Sequence, residues 1–249
     1  MAKADTRVEQ LFNSFVLKSG GELVSSLLAK DPQRPPNADY YFRDRNIIGE
    51  LKCLQVDSLG SSYAAKLQAL VDDWMRRDLL RVYGRASISL PQLHPICQRE
   101  WMSLLERSMQ NRFVDHANKQ IKGTKRILNA HEAKGLLFVT SDGNTSLQPY
   151  DVLYFLDRTL KKKKPDGSPL YSNIRGVVYF TLSSPGYHQA VSMPILFWLG
   201  IPCDPNDNEM KTFMNYLETH WFSFIREVKG QAVLRMIDQR IRLQDIKIS

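Results

Sequence analysis

The stretch "PPNADYYFRDRNIIGELKCL", residues 35–54, decides how the chain is read. Two runs rich in aromatic and β-branched residues, "ADYYF" and "NIIGELKCL", flank the polar "RDR", the pattern of two antiparallel strands joined by a turn. Side chains alternate along a strand, so Glu50 and Lys52 share one face roughly 7 Å apart, while Gly49, Leu51 and Cys53 point to the other. Asp39 opens the partner strand and reaches the same end of the ribbon. Two carboxylates converging there make a hard oxygen site suited to Mg²⁺ or Mn²⁺, ions that hold phosphate oxygens and keep waters. The competing reading is an exposed hairpin with a Glu-Lys pair worth well under about 1 kcal/mol. The spacing alone does not decide, because acid-x-Lys recurs at Glu132-Lys134, Glu209-Lys211, Glu227-Lys229 and Asp245-Lys247. The context does: an upstream Pro-Asn-Ala-Asp, a hairpin, a helix before it and a long helix after it.

Outward from the ribbon, apolar residues Val8, Leu11, Phe12 and Phe15 predict helix within residues 7–29. A break is expected at Gly20-Gly21, with helix resuming through "GELVSSLLAK" until "DPQRPP" ends it. Helices are also expected over 62–83 and over 98–122 or slightly beyond, separated by the proline-marked "ASISLPQLHPIC". "GLLFVTS" at 135–141 and "RGVVYFTLS" are continuous apolar runs of the kind found in strands buried on both faces. The helical "PYDVLYFLDRTL" between them, with Pro149 near its start, makes a strand–helix–strand unit with parallel pairing. "VSMPILFWLGIPC", 191–203, is broken by prolines and falls short of the roughly 20 residues of a membrane span, so it reads as core. A last amphipathic helix fits 208–228, with Trp221 and Phe222 in its apolar stripe, and "QAVLRMI" is strand or helix. There is no internal repeat and no low-complexity linker.

The chain has 249 residues, 43% hydrophobic and 24% charged, which fits one folded domain over 1–249. Cysteines 53, 97 and 203 show no CxxC pairing, and no secretory leader is recognisable, which implies a reducing, cytoplasmic setting without membrane association. A net charge of +8 and a pI near 9.4 favour polyanionic partners. Lys119, Lys122 and Arg126 fall on one helical face, and "KKKKPDG" at 161–167 is a basic run ending in a turn. The five histidines form no HExxH, no GxxxxGK[ST] is present, and "TSDGNTS", with Asp142, reads as a turn.

With Pro36-Asn37-Ala38-Asp39 followed by Glu50-Leu51-Lys52 on a strand, the sequence resembles the PD-(D/E)XK nuclease superfamily, the restriction-endonuclease-like fold. The resemblance covers element order over most of residues 7–183. It implies an α/β fold with a mixed β-sheet flanked by helices, and a helical insertion at about 59–130 between the second and third core strands. It implies a Mg²⁺-dependent endonuclease, with Mn²⁺ as a substitute, that hydrolyses phosphodiester bonds in DNA, in bacterial restriction or anti-phage defence. Asp39 and Glu50 would hold the metal, and Lys52 would orient the attacking water, help deprotonate it or stabilise charge on the phosphorane. Many members add an acid from the first helix; Glu22 is the choice here, and Glu9 its competitor. Gln120, with Lys119, Lys122 and Arg126, would face nucleic acid, and cutting of both strands implies a homodimer. Two other readings stand beside this one: a non-catalytic nucleic-acid-binding or scaffold protein of the same fold, and an RNA- or structure-selective nuclease.

Overall fold

The computed structural model describes residues 7–28, 37–54, 60–83, 92–140, 149–184 and 195–229. Helix α1, Arg7–Lys18, forms because Phe12, Phe15 and Val16 fall on one stripe, and it buries all three completely. The glycine pair ends it: Gly20 adopts φ +76°, and the Gly21 amide donates back to the Val16 carbonyl at 2.9 Å. The expected resumption of the helix does not occur. Glu22–Leu23 form a short strand, β1, followed by the single helical turn α2, Val24–Leu27. The reversal presses Gly21 into the core, where a Cβ would stand 2.5 Å from Val16 Cγ1 and 2.7 Å from Phe42 Cε1.

The expected ribbon is present. β2, Tyr40–Phe42, pairs antiparallel with β3, Ile47–Cys53, with Tyr40 opposite Gly49. The "RDR" segment between them is a 3₁₀ turn closed by Asn46 at φ 50°. β1 lies on the outer side of β2, with Glu22 opposite Tyr41. Helices α3 (Gly60–Arg76), α4 (Pro95–Met109) and α5 (Asp115–Ile127) follow. Where the spacing predicts one helix over 98–122, the chain is helical from 95 to 127 but passes through a π turn at Gln110–Val114. The remaining elements are β4 (Lys134–Thr140), α6 (Pro149–Leu160), β5 (Ile174–Ser184), β6 (Ile195–Pro202) and α7 (Asn208–Lys229).

β4 runs parallel to both β3 and β5, β6 runs antiparallel to β5, and the six strands lie in chain order across one mixed sheet flanked by helices. Because β1 adds a strand ahead of β2, the helical segment expected between the second and third strands lies between the third and fourth. It is the crossover that carries the chain from β3 to parallel β4.

α1 and α7 pack on one face of the sheet, where Phe12 stacks on Phe180 at 4.6 Å and Trp221 meets Phe15 edge-on at 4.9 Å. α4, α5 and α6 pack on the other, against Ile48, Leu137, Val139 and Val177. β4 is therefore apolar from Gly135 to Val139 because both its faces are covered. A third, smaller cluster of Trp74, Leu93 and Cys97 joins α3 to α4. Among the described residues no helix is long and apolar enough to cross a membrane, and the "VSMPILFWLGIPC" run contributes β6. Asp142 and "QAVLRMI" lie outside the described residues.

Candidate active site

Alternation along β3 sorts its side chains cleanly. Ile47 and Leu51 enter the α1–α7 core and Ile48 enters the α4–α6 core, so Glu50 and Lys52 face the α4–α6 layer, the side on which α5 lies. Asp39 sits one residue before β2, and the register with Tyr40 opposite Gly49 carries it alongside Glu50 across the ribbon. Its amide donates to the Gly49 carbonyl at 3.1 Å. Its carboxylate Oδ2 accepts the Leu51 amide at 2.8 Å, so the acid takes the place of a strand neighbour just beyond the last β2–β3 pair.

Lys52 Nζ donates to Glu50 Oε1 at 2.5 Å and to Gln120 Oε1 at 2.8 Å. Gln120 Nε2 in turn donates to the Asn37 carbonyl at 2.9 Å. One helical turn further along α5, Thr124 Oγ1 accepts the Ala38 amide at 2.8 Å and donates to the Gln120 carbonyl at 3.0 Å. The inward face of α5 thus ties the lysine of β3 to the segment that presents Asp39. The cluster is well shielded, with the Glu50 side chain 1% exposed and Lys52 13%. A charge so placed is tolerated because it is paired and hydrogen-bonded.

On the other face of the ribbon, the Tyr40 hydroxyl donates to Asn13 Oδ1 at 2.8 Å. Burial, followed by the negative charges of Asp39, Glu9, Cys53 and Glu50, pushes its phenol far above the usual range and keeps it neutral. Glu9 lies in the first turn of α1, near enough for its charge to act on that hydroxyl.

Glu22 is on strand β1 and not on the first helix, which corrects the element expected for it. Its carboxylate accepts Arg43 Nε at 2.9 Å and Nη2 at 3.4 Å, and the same guanidinium lies 5.2 Å from the centre of the Tyr41 ring. Among the described residues no three His, Cys, Asp or Glu side chains come together as a metal-holding group. The structure therefore groups Asp39, Glu50, Lys52 and Gln120, and sets Glu22 with Arg43. Asp39 and Glu50 are the two carboxylates of this group that could hold a cation, and an all-oxygen set suits a hard ion such as Mg²⁺.

The four residues expected to face nucleic acid divide. Ala117, Ile121 and Thr124 form the buried stripe of α5, and Gln120 turns inward beside them. Lys119, Lys122 and Arg126 are exposed on the outward side. Thr124 is the site residue that sequence reasoning missed. Its signal is a pair of polar residues at i and i+4, Gln120 and Thr124, set into an otherwise apolar helix face.

No family model, characterised protein or solved structure matches this chain.

Proposed function

We propose that the chain is a divalent-cation-dependent phosphodiesterase acting on nucleic acid, DNA foremost, on a site of the PD-(D/E)XK kind. The observation that carries this reading is the Lys52 ammonium bonded to Glu50 and Gln120 on β3, with Asp39 in register across the ribbon and its carboxylate on the Leu51 amide. The order of helix α1, three antiparallel strands, a helical crossover and parallel strand β4 supports it further. Asp39 and Glu50 would hold the ion, with Mg²⁺ or Mn²⁺ fitting an all-oxygen pair. Glu22 takes part only by releasing Arg43. The ion supplies neutralisation of phosphate charge and a water of lowered pKa. Lys52, aimed by Glu50 and Gln120, hydrogen-bonds the attacking water or a non-bridging phosphate oxygen. Asn37 and Ala38, anchored by Gln120 and Thr124, fix the backbone that presents the Asp39 carboxylate.

A second reading, a binding protein without hydrolysis, is favoured by one observation: Lys52 already balances the buried charge of Glu50. One experiment separates the two. Supercoiled plasmid, linear duplex, single-stranded DNA and RNA are incubated with wild type and Glu50→Ala in Mg²⁺, Mn²⁺ or EDTA. Metal-dependent cutting that the substitution abolishes is expected, and the substrate cut defines the class. Binding of these nucleic acids without cutting in any ion supports the second reading and overturns the first.

A further inference from the structure

Away from Asp39, Glu50 and Lys52, an open cleft of about 520 Å³ between α4 and α6 is lined by Ser103, Glu106, Arg107, Arg158, Lys161 and Lys162. We propose that this cleft is a second phosphate site that grips the backbone of nucleic acid. The proposal rests on the nucleic-acid substrate proposed above and adds a contact outside the reacting centre. Four cations line it with one carboxylate, Glu106, which holds two of them, while Lys161 Nζ pairs with Asp157 at 2.7 Å. Glu106, 16% exposed, meets Lys162 Nζ at 2.9 Å and Arg158 Nε at 3.7 Å. Lys162 Nζ also donates to Gln110 Oε1 at 2.6 Å, and Arg158 Nη1 donates to the Tyr154 hydroxyl at 3.2 Å. These long side chains are held in place before any ligand arrives, which lowers the entropy lost on binding.

Arg107 has no carboxylate partner among the described residues. Lys163 and Lys164 extend the basic run, on a turn held by its backbone. The Lys164 amide donates to the Ser168 carbonyl at 2.8 Å, the Gly167 amide donates to the Lys164 carbonyl at 2.9 Å, and Gly167 takes φ +81° to close the turn. A helix C-terminus is balanced by one or two cations. The six from Arg107, Arg158 and Lys161 to Lys164, set against Glu106, Asp157 and Asp166, are an excess that calls for an external polyanion. Arginine forks suit phosphate oxygens. The cleft's openness, with Lys119, Lys122 and Arg126 exposed on the same helical layer, favours a polymer over an enclosed small phosphate.

The test uses the full chain in EDTA, so that binding is read without cutting. Fluorescence anisotropy with a 20-base-pair duplex is measured against salt for wild type, Arg107→Ala/Lys161→Ala, Arg107→Lys/Lys161→Arg, and a control, Lys18→Ala/Arg76→Ala, altered at exposed cations elsewhere. Thermal melts confirm folding. The Ala pair should weaken binding by about 10-fold or more at 0.1 M salt and lower the log–log salt slope by about 2. The charge-conserving pair and the control should stay near wild type. Unchanged affinity and slope in the Ala pair, or no duplex binding by wild type, overturns the proposal. Binding of inorganic phosphate or pyrophosphate by wild type, read by calorimetry and lost in the Ala pair, without any effect of either anion on duplex binding, assigns the cleft to a small phosphate and overturns the nucleic-acid assignment. Because this binding is measured without metal, a wild type that binds through the cleft but never cuts overturns hydrolysis alone.

Discussion

Lys52→Met tests the buried charge pair on which the site is built. The substitution keeps the length of the side chain and removes the ammonium. Glu50, 1% exposed, then keeps a carboxylate whose cation is gone, and Gln120 Oε1 loses the same donor. Removing one partner of a buried pair costs about 3–5 kcal/mol, because the other charge stays desolvated after its cation is lost. In a chain of 249 residues each kcal/mol moves the melting temperature by roughly 2–4 °C, so the drop should be roughly 6–20 °C at pH 7. Adding Glu50→Gln removes the stranded charge, and the double variant should regain most of the loss, since a pair replaced by neutral groups of similar size is close to neutral in stability. Differential scanning calorimetry and urea titration in EDTA measure all three proteins. A Lys52→Met loss under about 1 kcal/mol, or a double variant no more stable than the single, would refute the buried-pair reasoning.

Other outcomes follow from the same structure. Thr124→Val strands the Ala38 amide in the core and should cost about 1–3 kcal/mol in urea unfolding, while Thr124→Ser, which keeps the hydroxyl, should cost less than half as much. Gly135→Ala would place its Cβ 2.0 Å from the Asn173 carbonyl oxygen, where the β4–β5 register shifts, and should cost about 3 kcal/mol in the same measurement. Asp207 caps α7 through the Met210 amide at 3.0 Å and pairs with Lys134 at 2.8 Å. Burial pushes its carboxyl up, but the bonds from Lys134 and the Met210 amide outweigh burial and hold it below the usual range. A depressed carboxylate stabilises the fold above its unfolded pKa of about 3.9 and loses that contribution as pH falls through the folded value. Asp207→Ala should therefore cost about 1–2 kcal/mol at pH 7, and melts below about pH 4 should show the gap to wild type closing.

The ribbon was legible in the sequence because period-two alternation fixes which side chains share a face, and that alone pairs Glu50 with Lys52. β4 and β5 were legible because strands covered on both faces carry continuous apolar runs. Strand β1 was not: two residues are too few to show a period, and the left-handed turn at Gly20 redirects a segment whose composition still reads as helix. Glu22 was therefore placed on the wrong element. Helical spacing grouped Lys119, Lys122 and Arg126 correctly as one face. Gln120 was grouped with them, although its place one turn before Thr124, beside the apolar stripe of Ala117 and Ile121, sets it on the inward side. Thr124 reaches Ala38 across 86 residues, a contact no local pattern encodes.

Asp39→Asn offers the most direct test of the site. The side-chain amide oxygen still accepts the Leu51 amide, so the fold keeps its bond while the metal-binding charge is lost. The measurement is the single-turnover cleavage rate of the preferred nucleic acid in Mg²⁺, alongside a thermal melt. A melt within about 1 kcal/mol of wild type, with cleavage slowed by about 100-fold or more, is the result the account predicts. Cleavage within about 3-fold of wild type by the folded variant would contradict it, because the acid that anchors the proposed site would then have no part in the chemistry.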